Sequence, residues 1–339
     1  MTVLEDDLKY IANYNLPYEY LKEHTVFVTG ATGLIGSSLV RSLLAIGGIK
    51  VIAFVRNIEK AKGIFPNDEN LLYVVGDVTK PIVCNNHVDY LFHCASITTS
   101  KLMIENPVET LLTSIEGTKN ILDLARAKNV KSMVYISSME MYGTFNNLNH
   151  EVTEDDLGYI NPLKVRSNYP ESKRICENMC IAYMTEYKVP VRIARLAQTF
   201  GAGILPNENR VFAQFARSAI NGQDIVLHTK GLSEGNYCYT SDCMTGLLTI
   251  LLKGENGEAY NISNPASHTT IVNMANMVAN KIADGKIKVI FDIPKIDTFG
   301  YATDTKMKLN SDKLQSLGWI PQIGLEESYR RMITDMRNV

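Results

Sequence analysis

The chain is short of the features that usually announce a function. Its 339 residues include six cysteines, Cys84, Cys94, Cys176, Cys180, Cys238 and Cys243, and no two form a CxxC pair. That spacing excludes a zinc ribbon and a disulfide framework, and it reads as the reduced thiols of a cytoplasmic protein. Cys176 and Cys180 share a helix face but bring no partner ligands, so no metal site is expected. The formal net charge of −2 gives neither the basic footprint of nucleic-acid binding nor a polybasic membrane patch. No apolar run approaches bilayer length, and the opening "MTVLEDDLKYIANYN" is too acidic and too interrupted for a secretory signal. Internal repeats and low-complexity segments are lacking as well.

What is present is an alternation. Residues 4–22 read as an amphipathic leader helix, leaving 1–23 ahead of the main unit. "TVFVTG" (25–30), "KVIAFVR" (50–56), "LLYVVGD" (71–77), "VDYLFHCA" (88–95), "SMVYISS" (132–138) and "VPVRIARL" (189–196) read as strands. Helical spacing falls at 34–47, 106–129 and 169–187. Continuous apolar strands alternating with helices predict an α/β fold, a doubly wound parallel sheet of Rossmann type over 24–197. After residue 197 the rhythm changes. A loop over 201–209, helices over 210–221, 240–252, 270–282 and 324–337, and the strands "DIVLHT" and "EAYNIS" predict a smaller C-terminal α/β substrate lobe over 198–339. Residues 259–263 are placed to return to the main sheet.

Two motifs carry chemistry. "VFVTGATGLIGSSLV" sets Gly30, Gly33 and Gly36 between a strand and a helix. Gly30 permits a tight turn, Gly33 a close approach to a pyrophosphate, and Gly36 close packing of helix on strand. Thr32, Leu34 and Ile35 complete this cradle. "VRSNYPESKRICE" puts Tyr169 and Lys173 one helical turn apart. A free phenol, with a pKa of about 10, is too weakly acidic to serve as a base near neutrality. A neighbouring ammonium favours the phenolate, which can then take a proton from a substrate hydroxyl. "YISSMEMYG" adds a strand tip, Ser137–Ser138, at the sheet edge where ligands of open α/β sheets bind.

The TGxxGxxG spacing, with "GDV" (76–78), "HCAS" (93–96), "GTKNIL" (117–122), "SSMEMYG" (137–143), "YPESK" (169–173) and "LGWIP" (317–321), resembles the extended short-chain dehydrogenase/reductase family. The resemblance implies a tightly bound NAD(P), with Asp77 and Val78 by the adenine and Cys94, Ala95 and Ser96 along the cofactor. Ser138, Tyr169 and Lys173 become the catalytic residues. At the end of the second strand Arg56 and Asn57 stand where an acidic residue would hold an unphosphorylated ribose. Arg56 can take a 2′-phosphate or stack on adenine, so NAD against NADP stays open.

Sugar-nucleotide 4,6-dehydratases of this family carry an Asp-Glu pair after the catalytic Ser or Thr. Here the pair is Met139–Glu140, and methionine supplies no proton, so dehydration is not expected. Glu140 is kept as a catalytic candidate, with a structural carboxylate as the other reading. "VRSNYPESKRICE" and "NRVFAQFARSAINGQDIVL" (209–227) are similar to segments of UDP-glucuronate decarboxylases. This implies a nucleotide-sugar substrate met by Ser100, Ser138, Met139, Glu140, Arg166, Gln198 and Arg210. Arg210 is expected at a diphosphate, and Phe212 and Phe215 in the core. Two departures stand out: Gln198 replaces a usual Asn in "RLAQTFGAG", and Gly235 replaces the arginine before "YCYTSD". The expected activity is decarboxylase-like, with transient oxidation at carbon 4. A 4-epimerase and an NADPH-dependent keto-sugar reductase are the alternatives. A non-catalytic NAD(P)-binding scaffold is the alternative of another class, and the intact Ser138, Tyr169 and Lys173 argue against it. The helices at 106–129 and 169–187 are expected to pair two copies into a homodimer, with Leu111, Ile115, Leu122, Met179 and Tyr183 as outward candidates.

Overall fold

The computed structural model of the protein describes residues 1–145, 150–205, 208–294 and 305–338. Of the loop expected over 201–209, residues 206 and 207 lie outside the described residues. The apolar runs become strands β1 (Thr25–Thr29), β2 (Lys50–Val55), β3 (Leu71–Val75), β4 (Tyr90–His93), β5 (Ser132–Ser138) and β6 (Val191–Leu196). Helices α1 (Val3–Ala12), α2 (Leu34–Ile46), α3 (Ile58–Ile64), α4 (Ser100–Glu105), α5 (Pro107–Lys128) and α6 (Asn168–Tyr187) precede or connect them. Beyond β6 come short strands β7 (Gln198–Phe200), β8 (Ile225–Leu227), β9 (Glu234–Gly235) and β10 (Tyr237–Tyr239), then β11 (Ala259–Ile262), β12 (Thr269–Thr270) and β13 (Val289–Phe291). The later helices are α7 (Val211–Asn221), α8 (Thr240–Lys253), α9 (Ile271–Met277), α10 (Asp312–Gln315) and α11 (Leu325–Asn338).

The main sheet has seven parallel strands in the order β11-β6-β5-β4-β1-β2-β3. Six of them follow the Rossmann order, whose ligand crevice lies at the carboxyl edge where the winding reverses, between β1 and β4. The seventh, β11, returns to pair with β6, Tyr260 lying opposite Ala194. Side chains alternate along each strand and feed two cores. Val26, Val28, Val134 and Ile136 pack with Leu39, Leu43, Leu247 and Trp319 on the face covered by α2 and α8. Phe27, Leu91, Met133 and Tyr135 pack with Ile121, Leu122, Cys176 and Cys180 on the face of α5 and α6. A third core, with Phe200, Phe212, Phe215 and Tyr329, lies among α7, α9 and α11.

Helix ends follow local chemistry. Thr2 and Glu5 form a reciprocal capping box that starts α1. Pro107 sits in the first turn of α5 and Pro170 in the first turn of α6, where a missing N–H costs nothing. The leader is shorter than its periodicity suggests. It is helical only to Ala12, and a single 3-10 turn at Tyr18–Tyr20 follows Pro17, which cannot continue a helix. Helix α4 and strand β13, which pairs with β8, were not legible in the sequence. Leu122 is wholly buried beneath α5, so it leaves the set of outward candidates, whereas Leu111, Ile115, Met179 and Tyr183 are half-buried.

Candidate active site

The carboxyl edge gathers the ends of β1, β4 and β5 against α6. At the end of β1, Gly30 adopts φ +62°, and a Cβ there would lie 2.8 Å from the Ala95 nitrogen. A Cβ on Gly36 would lie 2.2 Å from the Gly30 carbonyl oxygen. Both glycines are therefore demanded by the protein itself. Gly33 differs: its Cβ would meet nothing nearer than the Gly30 oxygen at 3.4 Å. Gly33 starts α2 with no side-chain cap, so the first-turn N–H groups of Leu34 and Ile35 have no side chain to bond them. Ser96 carries a buried hydroxyl without a partner on the facing loop. Uncapped helix donors, an orphaned hydroxyl and open space at Gly33 fit a dinucleotide pyrophosphate.

The loop after β4 is held from below. The Thr29 hydroxyl accepts the backbone N–H of Cys94 at 3.1 Å and of Ala95 at 3.2 Å, and it lies 2.8 Å from His93 Nδ1. With both lone pairs engaged, that hydroxyl donates to His93, so the ring carries its proton on Nε2, facing Thr118 at 3.4 Å. Burial pushes His93 down to about 3, so it stays neutral and structural. Asp77 accepts both the N–H and the hydroxyl of Thr79, which with the Arg56 charge hold its carboxyl below the usual range. Asn120 donates to the Val78 carbonyl, fixing that turn. Arg56 is exposed, and Asn57 is occupied as the cap of α3.

Across the edge, β5 delivers Ser138, whose hydroxyl accepts the Glu140 N–H at 3.2 Å and faces the phenol of Tyr169. Tyr169 and Lys173 are both buried, at 6% and 4% exposure. The Lys173 ammonium donates to the Ile136 carbonyl at 2.9 Å and lies over the rings of Tyr135 at 5.1 Å and Tyr169 at 5.5 Å. Burial, then the Glu140 carboxylate, push the Tyr169 phenol well above its usual range, against the Ser138 hydroxyl and the charges of Arg166 and Arg210. Burial holds the Lys173 ammonium below its usual range. The pair is thus poised for a positive charge above it to settle the phenolate.

The structure gives each substrate-side candidate its present partners. Arg166, expected to meet a substrate anion, grips Glu140 with bonds of 3.1 and 2.9 Å. Arg210, expected at a diphosphate, is paired with Glu208 at 3.0 and 2.6 Å. Both arginines nevertheless face Tyr169 closely enough to act on its proton. Phe212 and Phe215 are core residues, Phe212 stacking on Phe200 at 4.8 Å. Ser100 is exposed at the start of α4, and Gln198 is half-buried where β7 pairs with β10. Met139 is buried, and its Cε lies 3.6 Å from where a Gly235 Cβ would stand. Met139, which departs from the dehydratase pair, and Gly235, which departs from the decarboxylase arginine, thus meet in space though far apart in sequence. Ser137, packed beside Ser138, donates to Glu177, which pairs with Arg195; no motif pointed to this network. Its one sequence signal is the Tyr169, Lys173, Glu177 spacing on a single helix face. Among the described residues no group of three or more acidic, cysteine or histidine side chains could hold a metal ion. A surface hollow of about 350 Å³ between Pro66 and Tyr73 contains none of these residues.

A model of the NAD-dependent epimerase/dehydratase family matches residues 26–263, from β1 through β11. The chain belongs to that family. It is an NAD(P)-dependent enzyme of the decarboxylase and epimerase type. UDP-glucuronic acid decarboxylase 1 of Danio rerio is 30% identical over 343 residues, 98% of this chain and 77% of its own length. UDP-glucuronic acid decarboxylase 6 of Arabidopsis thaliana is 31% identical over 322 residues, 92% of this chain and 88% of its own. Among solved structures, a UDP-glucose 4-epimerase of Thermotoga maritima with UDP-glucose has a TM-score of 0.80 at 21% identity, covering 93% of this chain and 99% of that one. A UDP-glucuronic acid 4-epimerase of Bacillus cereus, in complex with UDP-glucuronic acid and NAD, has a TM-score of 0.77 at 19% identity, over 93% of this chain and 99% of its own. At these identities the structures establish the epimerase fold. Among the described residues no helix is long and apolar enough to cross a membrane.

Proposed function

We propose that this family member is a nucleotide-sugar-modifying enzyme that oxidises the sugar transiently at carbon 4. The observation that carries the reading is the gathering of Ser138 with the buried Tyr169 and Lys173, ring and ammonium 5.5 Å apart, facing a glycine cradle. A bound NAD(P) would supply the hydride acceptor and later the donor, so the reaction would have no net redox change. Tyr169 takes the proton of the carbon-4 hydroxyl, Ser138 bonds that oxygen, and Lys173 keeps the phenolate charged and holds the nicotinamide ribose. With a carboxylate at carbon 5, the carbon-4 ketone makes a β-keto acid. CO2 then leaves while Ser138 and Tyr169 stabilise the enolate oxygen. The named relatives support decarboxylation of a UDP-uronate.

A 4-epimerase is the second reading, favoured by Gly235. The position carries no cation, and its neighbour Met139 is apolar. Incubation with a pool of nucleotide sugars and mass spectrometry separates the readings. Loss of the mass of CO2 supports decarboxylation, and an isomer of unchanged mass supports epimerisation. Loss of the mass of water overturns the argument from Met139, and no turnover of any nucleotide sugar overturns the enzyme assignment.

The remaining expectations stand as parts of the same proposal. Residues 198–339 serve mainly as the substrate lobe, and Arg56 bears on the choice between NAD and NADP. Two cytoplasmic copies pair through α5 and α6, where Leu111, Ile115, Met179 and Tyr183 of the expected set are half-buried and Val108, Leu112 and Ile175 are exposed beside them. A monomer by light scattering at micromolar concentration refutes that pairing.

A further inference from the structure

Beneath the catalytic side chains lies a buried polar network that the proposed chemistry does not use. Alternation along β5 sends Tyr135 and Ser137 toward α6. Tyr169, Lys173 and Glu177 follow one another at single turns of α6 on the face turned to β5. Ser137 donates to Glu177 at 2.5 Å. Arg195 of β6 grips the same carboxylate, Nε at 3.1 and 3.3 Å and NH2 at 2.8 Å. The arginine's remaining nitrogen donates to the Tyr142 hydroxyl at 3.0 Å and to the Glu154 carbonyl at 2.7 Å. Tyr142 passes the chain on to Asn261 of β11 at 2.7 Å. Glu177 and Arg195 each expose only 8% of their side chains. A charge pair this deep is a poor source of stability, because desolvation offsets most of its attraction. Its retention calls for another reason.

That reason is the neighbouring ammonium. Lys173 is buried, and a lone buried ammonium sheds its proton readily. The ionisable groups facing it are Tyr169, Cys176, Cys180 and Glu177 along α6, Cys94 and His93 at the end of β4, and Tyr135 on β5. Without substrate or cofactor the thiols, Tyr135 and Tyr169 are pushed up by burial and stay neutral, and His93 is neutral as well. Among these described groups, Glu177 alone supplies negative charge. Arg195 holds that carboxylate in place.

We infer that Glu177 is a positioning residue for the Ser138–Tyr169–Lys173 centre. Held by Arg195, it anchors the tip of β5 through Ser137 and stands as the buried counter-charge one turn beyond Lys173. The inference rests on the proposed chemistry for its consequence in turnover, but not for its effect on Lys173.

The test reads both. Protein labelled at lysine ε-carbons is titrated by NMR without substrate, the Lys173 signal being assigned by its loss in Lys173→Met. Glu177→Gln should lower the Lys173 midpoint by about one to three pH units. The double variant Glu177→Gln/Arg195→Met, which leaves no unpaired buried charge, should lower it as well, by less because the opposing Arg195 charge goes too, and keeps the test open if the single variant does not fold. Where nucleotide sugar turns over, the alkaline limb of kcat should move to lower pH with the midpoint while KM stays within about twofold. Ser137→Ala removes only the anchor; it should lower kcat about tenfold and leave the Lys173 midpoint in place. An unmoved midpoint in either folded Glu177 variant overturns the counter-charge, and a Ser137→Ala enzyme of unchanged kcat overturns the anchor. A wild-type protein that turns over no nucleotide sugar overturns the proposed function instead, and the NMR midpoint still judges Glu177.

Discussion

The two sides of the active site solve their polar accounting in opposite ways. On the cofactor side, groups stand open: the uncapped first turn of α2, the Ser96 hydroxyl and the space at Gly33. On the substrate side, each arginine facing Tyr169 is already bonded to a carboxylate, Arg166 to Glu140 and Arg210 to Glu208. Burial alone would raise Glu208, yet Arg210 more than offsets it and holds the carboxyl below its usual range. The cofactor side is therefore a mould whose open donors and space fit a dinucleotide. The substrate side is a set of exchangeable pairs, and a ligand gains there only by offering an arginine a better anion than the glutamate it holds. A diphosphate meets that demand, whereas a neutral sugar ring does not.

The comparison breaks most visibly at the residue that joins the sides. Tyr169→Phe removes the proton acceptor and almost nothing else, so kcat should fall by at least about 100-fold while cofactor and substrate still bind. Near-normal turnover would detach Tyr169 from the chemistry. The mould is tested next by paired glycines. Gly36→Ala forces a Cβ against the Gly30 carbonyl and should cost about 1–3 kcal/mol of stability together with cofactor affinity. Gly33→Ala meets no such clash at its φ of −89° and should weaken cofactor binding with the melting temperature unchanged. Equal loss of stability in both would show that Gly33, too, serves only the fold.

How far could this have been read from residues alone? The mould was legible, because its requirements are local: a glycine at positive φ, a strand before it and a helix after it. The Tyr169–Lys173 pair was legible because one helical turn fixes its geometry. The substrate side was not. Arg166 and Glu140 are 26 positions apart, and their bond depends on how the turn after β5 meets the start of α6. Met139 and Gly235 read as two separate departures and turned out to be neighbours. The Ser137–Glu177–Arg195 network draws on three elements, and no single stretch displays it.

Smaller effects sharpen the exchangeable pairs. Glu140 disfavours the charged form of Tyr169, so Glu140→Gln should let the phenolate form at lower pH. The acid limb of the pH–rate profile should move acidward, with Arg166 freed. A folded Glu140→Gln enzyme without turnover at any pH would instead assign Glu140 a proton transfer at carbon 5. Smallest of all, Arg56→Asp should shift relative affinity from NADP toward NAD, as measured by titration with both. Unchanged relative affinity would show that the exposed Arg56 does not reach the ribose.

Helix α1 carries a consequence for how the chain is made. Asp7 accepts the Tyr239 hydroxyl at 2.6 Å and an Arg331 N–H at 2.9 Å, partners 232 and 324 positions downstream. A ribosome adding roughly 5–20 residues per second makes α1 early and the strand and helix that receive it tens of seconds later. In that interval Ile11 can already pack with the early residues of its core, but the Asp7 carboxyl has neither partner. The bonds that tie α1 to the far end of the fold therefore form only after α11 has left the exit tunnel, long after α1 and α2 can meet.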